Sequence, residues 1–387
     1  MSERRIVISG GGTGGHLYPA LAVGRKLREA DPTLRLTFVG SRRPVEMRIM
    51  DEQGVDFVPL RIEGLKGRGL RSLRGLALLP FAFLKSFGLL VRLRPRLVVG
   101  VGGYSSGPVV LLASWFGVPT VILEQNVLPG YTNRLLVRRA KKAVAAFEAT
   151  LPSFRGNGVW LGNPVREEFY GMPAKTSGAA LSLLVSGGSQ GSRFLNRTMT
   201  AALPLLREKK DRLEIVHQTG KDDIAWVEKA YGDSGFAGAT VAPYLPDMAA
   251  RFRRADLVVS RAGATTCAEL IASGRPSLLV PFAGASENHQ ELNARELEKA
   301  GGAEVVLEKD LSPDILAARV SFYLERRDAL ARMAAGLASL RPDGAAGAIA
   351  KLCFRLMGGG GVGEWQWSNG DTASSNTSTW SGSAGPA

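Results

Sequence analysis

Residues 5–20 read RIVISGGGTGGHLYPA. A short, β-branched, continuously apolar run passes into a glycine-rich turn, and a helical pattern starts where the turn ends. This is strand, tight turn and helix, the opening of a βαβ unit. A chain accepts so much glycine only where the backbone takes positive φ or lies close against another group. The same plan returns at 181–192, LSLLVSGGSQGS, followed by the helical RFLNRTMTAALPLLREK.

Both halves then continue alike. The first adds the apolar runs LRLTFVG, RLVVGVGG, PTVILEQN and KAVAAF. The second adds LEIVHQTG, GATVAPYL, DLVVSRAG and PSLLVPF, with the helical ATTCAELIAS and NHQELNARELEKAG. Short apolar runs alternating with helices predict parallel sheets covered on both faces. The expected fold class is α/β, with two Rossmann-like, doubly wound parallel-sheet domains facing across a cleft. A chain of 387 residues, 45% of them apolar, is long enough for both. Pro164, in LGNPVREEF, forces Asn163 into an extended conformation and marks the hinge, so the expected division is 1–163 and 164–340. The run SPDILAARVSFYLERRDALARMAAGLASLR reads as strongly helical, and 341–357 as a short last helix. From 358 to 387 the composition turns to Gly, Ser, Thr and Asn, which predicts a disordered tail.

Composition narrows the function. Two distant cysteines, Cys267 and Cys353, argue against a disulfide framework or a thiolate metal site and suit a reducing compartment. Neither the start of the chain nor the stretch 76–91, which contains Pro80 and Lys85, has the ~20 apolar residues of a spanning helix. The net charge of +14 calls for anionic partners. Between Arg61 and Arg96 there are nine basic residues and one acid, Glu63, around the most apolar run in the chain. That coincidence predicts contact with an anionic membrane surface through Leu76, Leu79, Phe81, Phe83, Lys85, Phe87 and Arg92. The bland alternative is a buried helix with a solvated basic collar. Nucleic acid is not expected, because no recognition motif is visible and aromatics do not interleave with the basic residues.

Open α/β sheets bind ligands beyond the carboxyl ends of their strands. Glycine-rich turns fall at such ends at 10–15, 102–107, 187–191 and 263. The first satisfies GxGxxG through Gly10, Gly12 and Gly15. No acid follows about 20 residues on, as a dinucleotide site would ask. Arg42 and Arg43 stand there instead and keep an NADP-binding alternative open. SGGSQGS, with Ser189 and Ser192 before a helix, has the form of a diphosphate cradle. Glu269 lies about a turn and a half into the helix after Gly263 and is placed to take ribose hydroxyls, or is simply a solvated helix glutamate. His289 and Gln290 begin another helix, where they read sugar hydroxyls or act as caps. The three histidines show no HExxH spacing and the chain has no Asp-x-Asp pair, so no metal is expected.

The motifs GGGTGGHLYPA, GVGGYSSGP, EQNVLPGYTN, GNPVR, SGGSQGS, PYLPDMA, RAGATTCAEL and VPF…NHQELNA occur in this order over residues 5 to 357. Together they resemble the MurG family, the bacterial N-acetylglucosaminyltransferases that convert lipid I to lipid II in peptidoglycan synthesis. The resemblance implies a GT-B fold whose last helix returns to the first domain, and a peripheral enzyme on the cytoplasmic face of the plasma membrane. It implies UDP-N-acetylglucosamine as donor, lipid I as acceptor and no cofactor. By position, Leu245 would offer backbone contacts to uracil and Glu269 would hold the ribose. Ser189 with Ala264, Thr265 and Thr266 would cradle the diphosphate, with Arg166 close by. Gln290 would read the sugar, with His289 beside it, while Thr13, Gly14, Gly15 and Asn126 would face the sugar side of the cleft. A tail like 358–387 is not usual in the family.

Such a reaction joins an alcohol to the anomeric carbon with inversion, and a base raises the reactivity of the alcohol ~10²–10⁴-fold. His16 titrates nearest neutrality and sits where a helix N-terminus keeps the ring neutral, so it is the candidate base. Glu124 is the rival base; Asn126 can only position. A histidine that merely caps the helix or orients the acceptor is the third possibility.

Overall fold

The computed structural model describes residues 4–11, 14–62, 70–173, 180–340 and 344–358; within the helix that starts at Leu70, side chains are described from residue 78. The first sheet contains β1 (Arg5–Ser9), β2 (Arg35–Ser41), β3 (Phe57–Leu60), β4 (Leu97–Gly100), β5 (Thr120–Glu124), β6 (Lys142–Ala145) and β7 (Gly158–Trp160). Its order is β3-β2-β1-β4-β5-β6-β7. The second contains β8 (Leu181–Ser186), β9 (Leu213–Gln218), β10 (Thr240–Ala242), β11 (Leu257–Ser260), β12 (Ser277–Leu279) and β13 (Ala303–Val305), in the order β10-β9-β8-β11-β12-β13. Every pairing is parallel.

The two sheets share one winding. In the first, Ile6 pairs with Leu36 on one side and Leu97 on the other; in the second, Leu183 pairs with Ile215 and Leu257. Chain direction across each sheet therefore reverses beside its first strand, between β1 and β4 and between β8 and β11. A crevice opens at such a switch point. Helices cover both faces, which is why the strands are apolar without alternation. Ile6 and Ile8 belong to one core and their neighbour Val7 to another on the opposite face. Leu183 and Val185 likewise oppose Leu184. The helix Ala345–Leu356 sends Ile349, Ala350, Leu352 and Cys353 into the core that holds Leu17, Val23 and Leu27 of the first helix, Gly14–Ala30.

Three readings change. The helical run after Ser192 ends as an α-helix at Ala202 and continues from Pro204 as a tighter 3₁₀ segment, because proline lacks the N–H that would extend the ladder. The run after Ser312 is two helices, Pro313–Glu325 and Arg327–Ala338, broken at Arg326, whose φ and ψ of −112° and 66° are not helical. The strands β3, β7 and β13 went unread: each is a short strand at a sheet edge, only partly buried, and so does not stand out as a buried apolar run. The tail from 359 onward lies outside the described residues.

Candidate active site

The turns after β1, β4, β8 and β11 are the four glycine-rich loops of the sequence, and they flank the two switch points. Glycine is required by close approach. Gly103, at φ +79°, lies so near the Gly11 carbonyl that a Cβ would overlap it. Gly191, at φ +74°, lies against the Thr219 carbonyl in the same way. Thr13 falls outside the described residues, while Gly14 and Gly15 open the first helix.

His16 is the third residue of that helix. Its Nδ1 stands 3.1 Å from Oε1 of Gln125, the residue after β5. Burial pushes the ring's pKa below the usual histidine range, opposed by the Glu124 carboxylate and the Gln125 contact. Glu124 itself is 3% exposed. Its Oε1 accepts from Asn126 N (3.0 Å) and Nδ2 (3.3 Å), and its Oε2 from Gly130 N (2.9 Å) and Asn133 Nδ2 (2.9 Å). With both oxygens held by N–H donors, this carboxylate pins the 124–133 turn. The Asn126 amide is likewise committed to the protein, to Glu124 and to Asn293.

On the second sheet, Glu269 is partly buried, with 15% of its side chain exposed, and desolvation pushes its pKa up to about 7. The Arg166 guanidinium lies 3.6 Å from Oε1, stacked between the rings of Tyr18 at 5.5 Å and Phe169 at 5.0 Å. Ser189 is exposed, before the N-terminus of the helix Arg193–Ala202. Ala264, Thr265 and Thr266 form the first turn of the helix Ala264–Ser273, and Thr265 Oγ1 is buried with no protein partner. Gln290 opens the helix His289–Lys299 and accepts from Phe282 N at 3.0 Å; His289 Nδ1 is turned back to the Ser286 carbonyl at 2.7 Å.

Two cradle residues are already engaged by the protein. Ser192 Oγ accepts from Leu195 N and from Arg261 Nε and Nη2 at 3.1 and 2.7 Å. Leu245 gives its N–H to Gln218 Oε1 at 2.8 Å, which leaves its carbonyl for a backbone contact to a base. Their partners are residues that the motif reading gave no role. Gln218 also donates to the Gly188 carbonyl at 2.8 Å and so ties the cradle to Leu245. Arg261 sits behind the cradle, ion-paired with Glu308 and stacked between Phe194 and Phe282. An arginine flanked by two aromatics was available as a signal only after folding, since these residues lie far apart in the chain.

Side chains join the two sheets across the cleft. Arg134 makes 3.0 Å bonds to both Glu287 oxygens. Glu287 and Asn288 hold positive φ, 56° and 52°, an uncommon conformation for such residues, in the turn that delivers Gln290. Asn293 bonds Asn126 and Val127, and Lys26 pairs with Glu167. Among the described residues no group of three His, Cys, Asp or Glu is placed to hold a metal ion.

The basic apolar window forms the helix Leu70–Leu93, with Pro80 inside it. Phe81, Leu84, Phe87 and Val91 are 69%, 70%, 46% and 50% exposed on one face, while Ala82, Ser86, Leu89 and Leu90 are buried on the other. Phe87 packs edge-on against Phe116, 5.6 Å away, which with Trp115 extends the apolar patch. Arg92 is exposed and Arg139 lies 5.8 Å over Trp115. Leu79 is half-buried, and the side chain of Leu76 lies outside those described. Phe83 is corrected: it packs onto the core. Lys85 is exposed, and its ammonium donates to the Pro59 carbonyl at 2.7 Å. Leu84 and Val91 were missed although Leu84 lies three residues from both Phe81 and Phe87, and Val91 four from Phe87, which marks one helix face. No described helix is long and apolar enough to cross a membrane.

Two like-wound parallel sheets, each presenting glycine loops at its switch point to a shared cleft, define a glycosyltransferase of GT-B architecture. The glycosyltransferase family 28 N-terminal domain matches residues 6–145 and the family 28 C-terminal domain residues 182–346. The chain belongs to this family and, within it, to the MurG family. It is 44% identical over 361 residues to the UDP-N-acetylglucosamine--N-acetylmuramyl-(pentapeptide) pyrophosphoryl-undecaprenol N-acetylglucosamine transferase of Anaeromyxobacter dehalogenans (strain 2CP-C), covering 91% of this chain and 93% of that one. The transferase of the same name from Myxococcus xanthus is 43% identical over 359 residues, with the same coverage. The crystal structure of Acinetobacter baumannii MurG superposes with a TM-score of 0.74 at 28% identity, over 91% of this chain and 99% of that one.

Proposed function

We propose that this protein transfers N-acetylglucosamine from UDP-N-acetylglucosamine to the 4-hydroxyl of the muramyl sugar of lipid I, with inversion, giving lipid II. The relatives' shared activity supports the assignment over nine tenths of the chain. Nothing among them supports NADP binding, and a Cβ at Gly11 would meet the Glu46 carboxylate, so the first loop carries an acid against it.

The single observation that carries the mechanism is His16 at the head of a helix in the first switch-point crevice, opposite the donor cradle. We assign the base to His16 and leave Glu124 as the brace of the loop beside it. The 164–340 half binds the donor: the Leu245 carbonyl meets uracil, Glu269 accepts from the ribose hydroxyls, and Gln290 reads the sugar. Ribose then competes with Arg166 for Glu269, which releases the guanidinium toward the diphosphate. Ser189, Thr265 and Thr266 cap that diphosphate at two helix N-termini, and the charge of the leaving UDP is met there. The 1–163 half, with the helix at 341–357, binds lipid I. The exposed face of Phe81, Leu84, Phe87, Val91, Trp115 and Phe116, ringed by arginines, rests on an anionic membrane on its cytoplasmic side.

Transfer of radiolabelled N-acetylglucosamine from its UDP donor to a soluble lipid I analogue tests the assignment. Transfer is expected, with protection of the fold by UDP and none by NADP. No transfer together with NADP binding would return the first loop to the dinucleotide reading.

A further inference from the structure

Gln125 lies between two groups that leave its amide one orientation. The side chain is buried, 2% exposed. Its Nε2 donates to the Val101 carbonyl at 3.0 Å, and its Oε1 stands 3.1 Å from His16 Nδ1. A peptide carbonyl only accepts, so the NH₂ group must face Val101; the flipped amide would set oxygen against oxygen. An amide oxygen also only accepts, so the hydrogen of a neutral His16 ring must sit on Nδ1. The ring's lone pair is then on Nε2. Gly102, at φ +91°, leaves the ring its place, since a Cβ there would stand only 3.0 Å from Cε1 and Nδ1.

We propose that Gln125 is a positioning residue for the transfer reaction, holding His16 as the Nδ1–H tautomer so that Nε2 is the proton acceptor. The proposal rests on the reading of His16 as the base. In the step it serves, the muramyl 4-oxygen bonds to C1 of N-acetylglucosamine. The bond from C1 to the β-phosphate oxygen breaks, and its electron pair leaves with UDP. The 4-hydroxyl proton passes to His16 Nε2 and later to water. The imidazolium formed in between keeps its Nδ1–H bond to Gln125, and the Glu124 and Glu46 carboxylates favour its charge. Without Gln125 the neutral ring divides between two tautomers, and the Nε2–H form cannot take the proton. In a serine protease triad, loss of the group that holds the histidine tautomer costs about 10⁴ in kcat; a neutral amide should be worth less.

The test uses nitrogen NMR of the full chain labelled with 15N-histidine, where only three histidines contribute and His16→Ala assigns the signal. The wild type is expected to carry the hydrogen on Nδ1 of His16. Gln125→Met is expected to move a large part of it to Nε2 and to lower kcat about tenfold or more, with the Kd for UDP and the KM for acceptor little changed. A hydrogen on Nε2 in the wild type overturns the proposal whether or not the variant folds. So does an unaltered tautomer in a folded Gln125→Met. A shifted tautomer with undiminished kcat leaves Gln125 holding the ring but removes His16 as the base, and so marks failure of the mechanism beneath the proposal.

Discussion

Asn293 and Asn126 meet amide to amide across the cleft: Asn293 Nδ2 donates to Asn126 Oδ1 at 3.0 Å, and Asn293 Oδ1 accepts from Val127 N at 3.0 Å. Asn293 is fully buried and also reaches the Ala262 carbonyl at 3.3 Å. One side chain thus ties the helix that bears Gln290, the strand end that leads into the donor cradle, and the loop that follows Glu124 and Gln125. Asn293→Leu keeps the volume but leaves Val127 N–H and Asn126 Oδ1 without partners, at about 1–3 kcal/mol each. Thermal unfolding should show the loss, and kcat should fall further than UDP affinity. Equal loss of both would mean that Asn293 serves the donor site alone.

Glu269 has a pKa of about 7, raised from 4.5 by burial. The folded chain therefore holds more protons than the unfolded one between those values, and this residue's contribution to stability falls as pH rises through that window. Ribose hydroxyls donate to the ionised form, so UDP affinity should rise from pH 6 to pH 8. Glu269→Gln should flatten that dependence in calorimetry and weaken UDP about tenfold or more. The same variant should be more stable than wild type at pH 8, by about 1–3 kcal/mol. A pH-independent wild type would refute the ionised-carboxylate contact.

His16, lowered by burial, is neutral at pH 7 and gains its proton only at more acid pH. At saturating donor, which removes the Glu269 contribution, kcat should hold down to a pH below the usual histidine range and then fall. His16→Ala should lose ~10²-fold or more with UDP binding intact, and its acid limb should vanish. Near-normal turnover in this variant would remove the histidine from proton transfer.

Phe81 and Leu84 are 69% and 70% exposed. Phe81→Glu with Leu84→Glu should leave the melting temperature and turnover of a soluble acceptor nearly unchanged. Binding to vesicles of anionic lipid should drop at least tenfold, since apolar insertion and charge are both opposed. Unaltered sedimentation with vesicles would place the membrane contact elsewhere.

Much of the fold was legible because a doubly wound sheet leaves two local marks, continuous apolar strands and glycine turns at their carboxyl ends. RIVISGGG and LSLLVSGG carry both. The edge strands Phe57–Leu60 and Gly158–Trp160 stand out less, since they are short, only partly buried and do not run directly into a glycine-rich turn. The breaks at Pro204 and Arg326 divide differently. Proline announces its missing N–H in the sequence, whereas Arg326 leaves the helix with no such mark, and the next residue, Arg327, bonds the distant Ala180 carbonyl and pairs with Asp256.

The sequence by itself determined that two like βαβ halves would bring four glycine loops and His16 to ligand-binding strand ends, because those signals lie within a few residues of one another. Only the tertiary structure decided how the polar groups there are spent. Ser192 accepts from Arg261, Leu245 gives its N–H to Gln218, and Glu124 becomes a brace. Gln125 becomes the residue that sets the His16 ring. Each outcome depends on partners 6 to 109 residues away in the chain, and a hydrogen bond is satisfied by proximity in space, which no local pattern records.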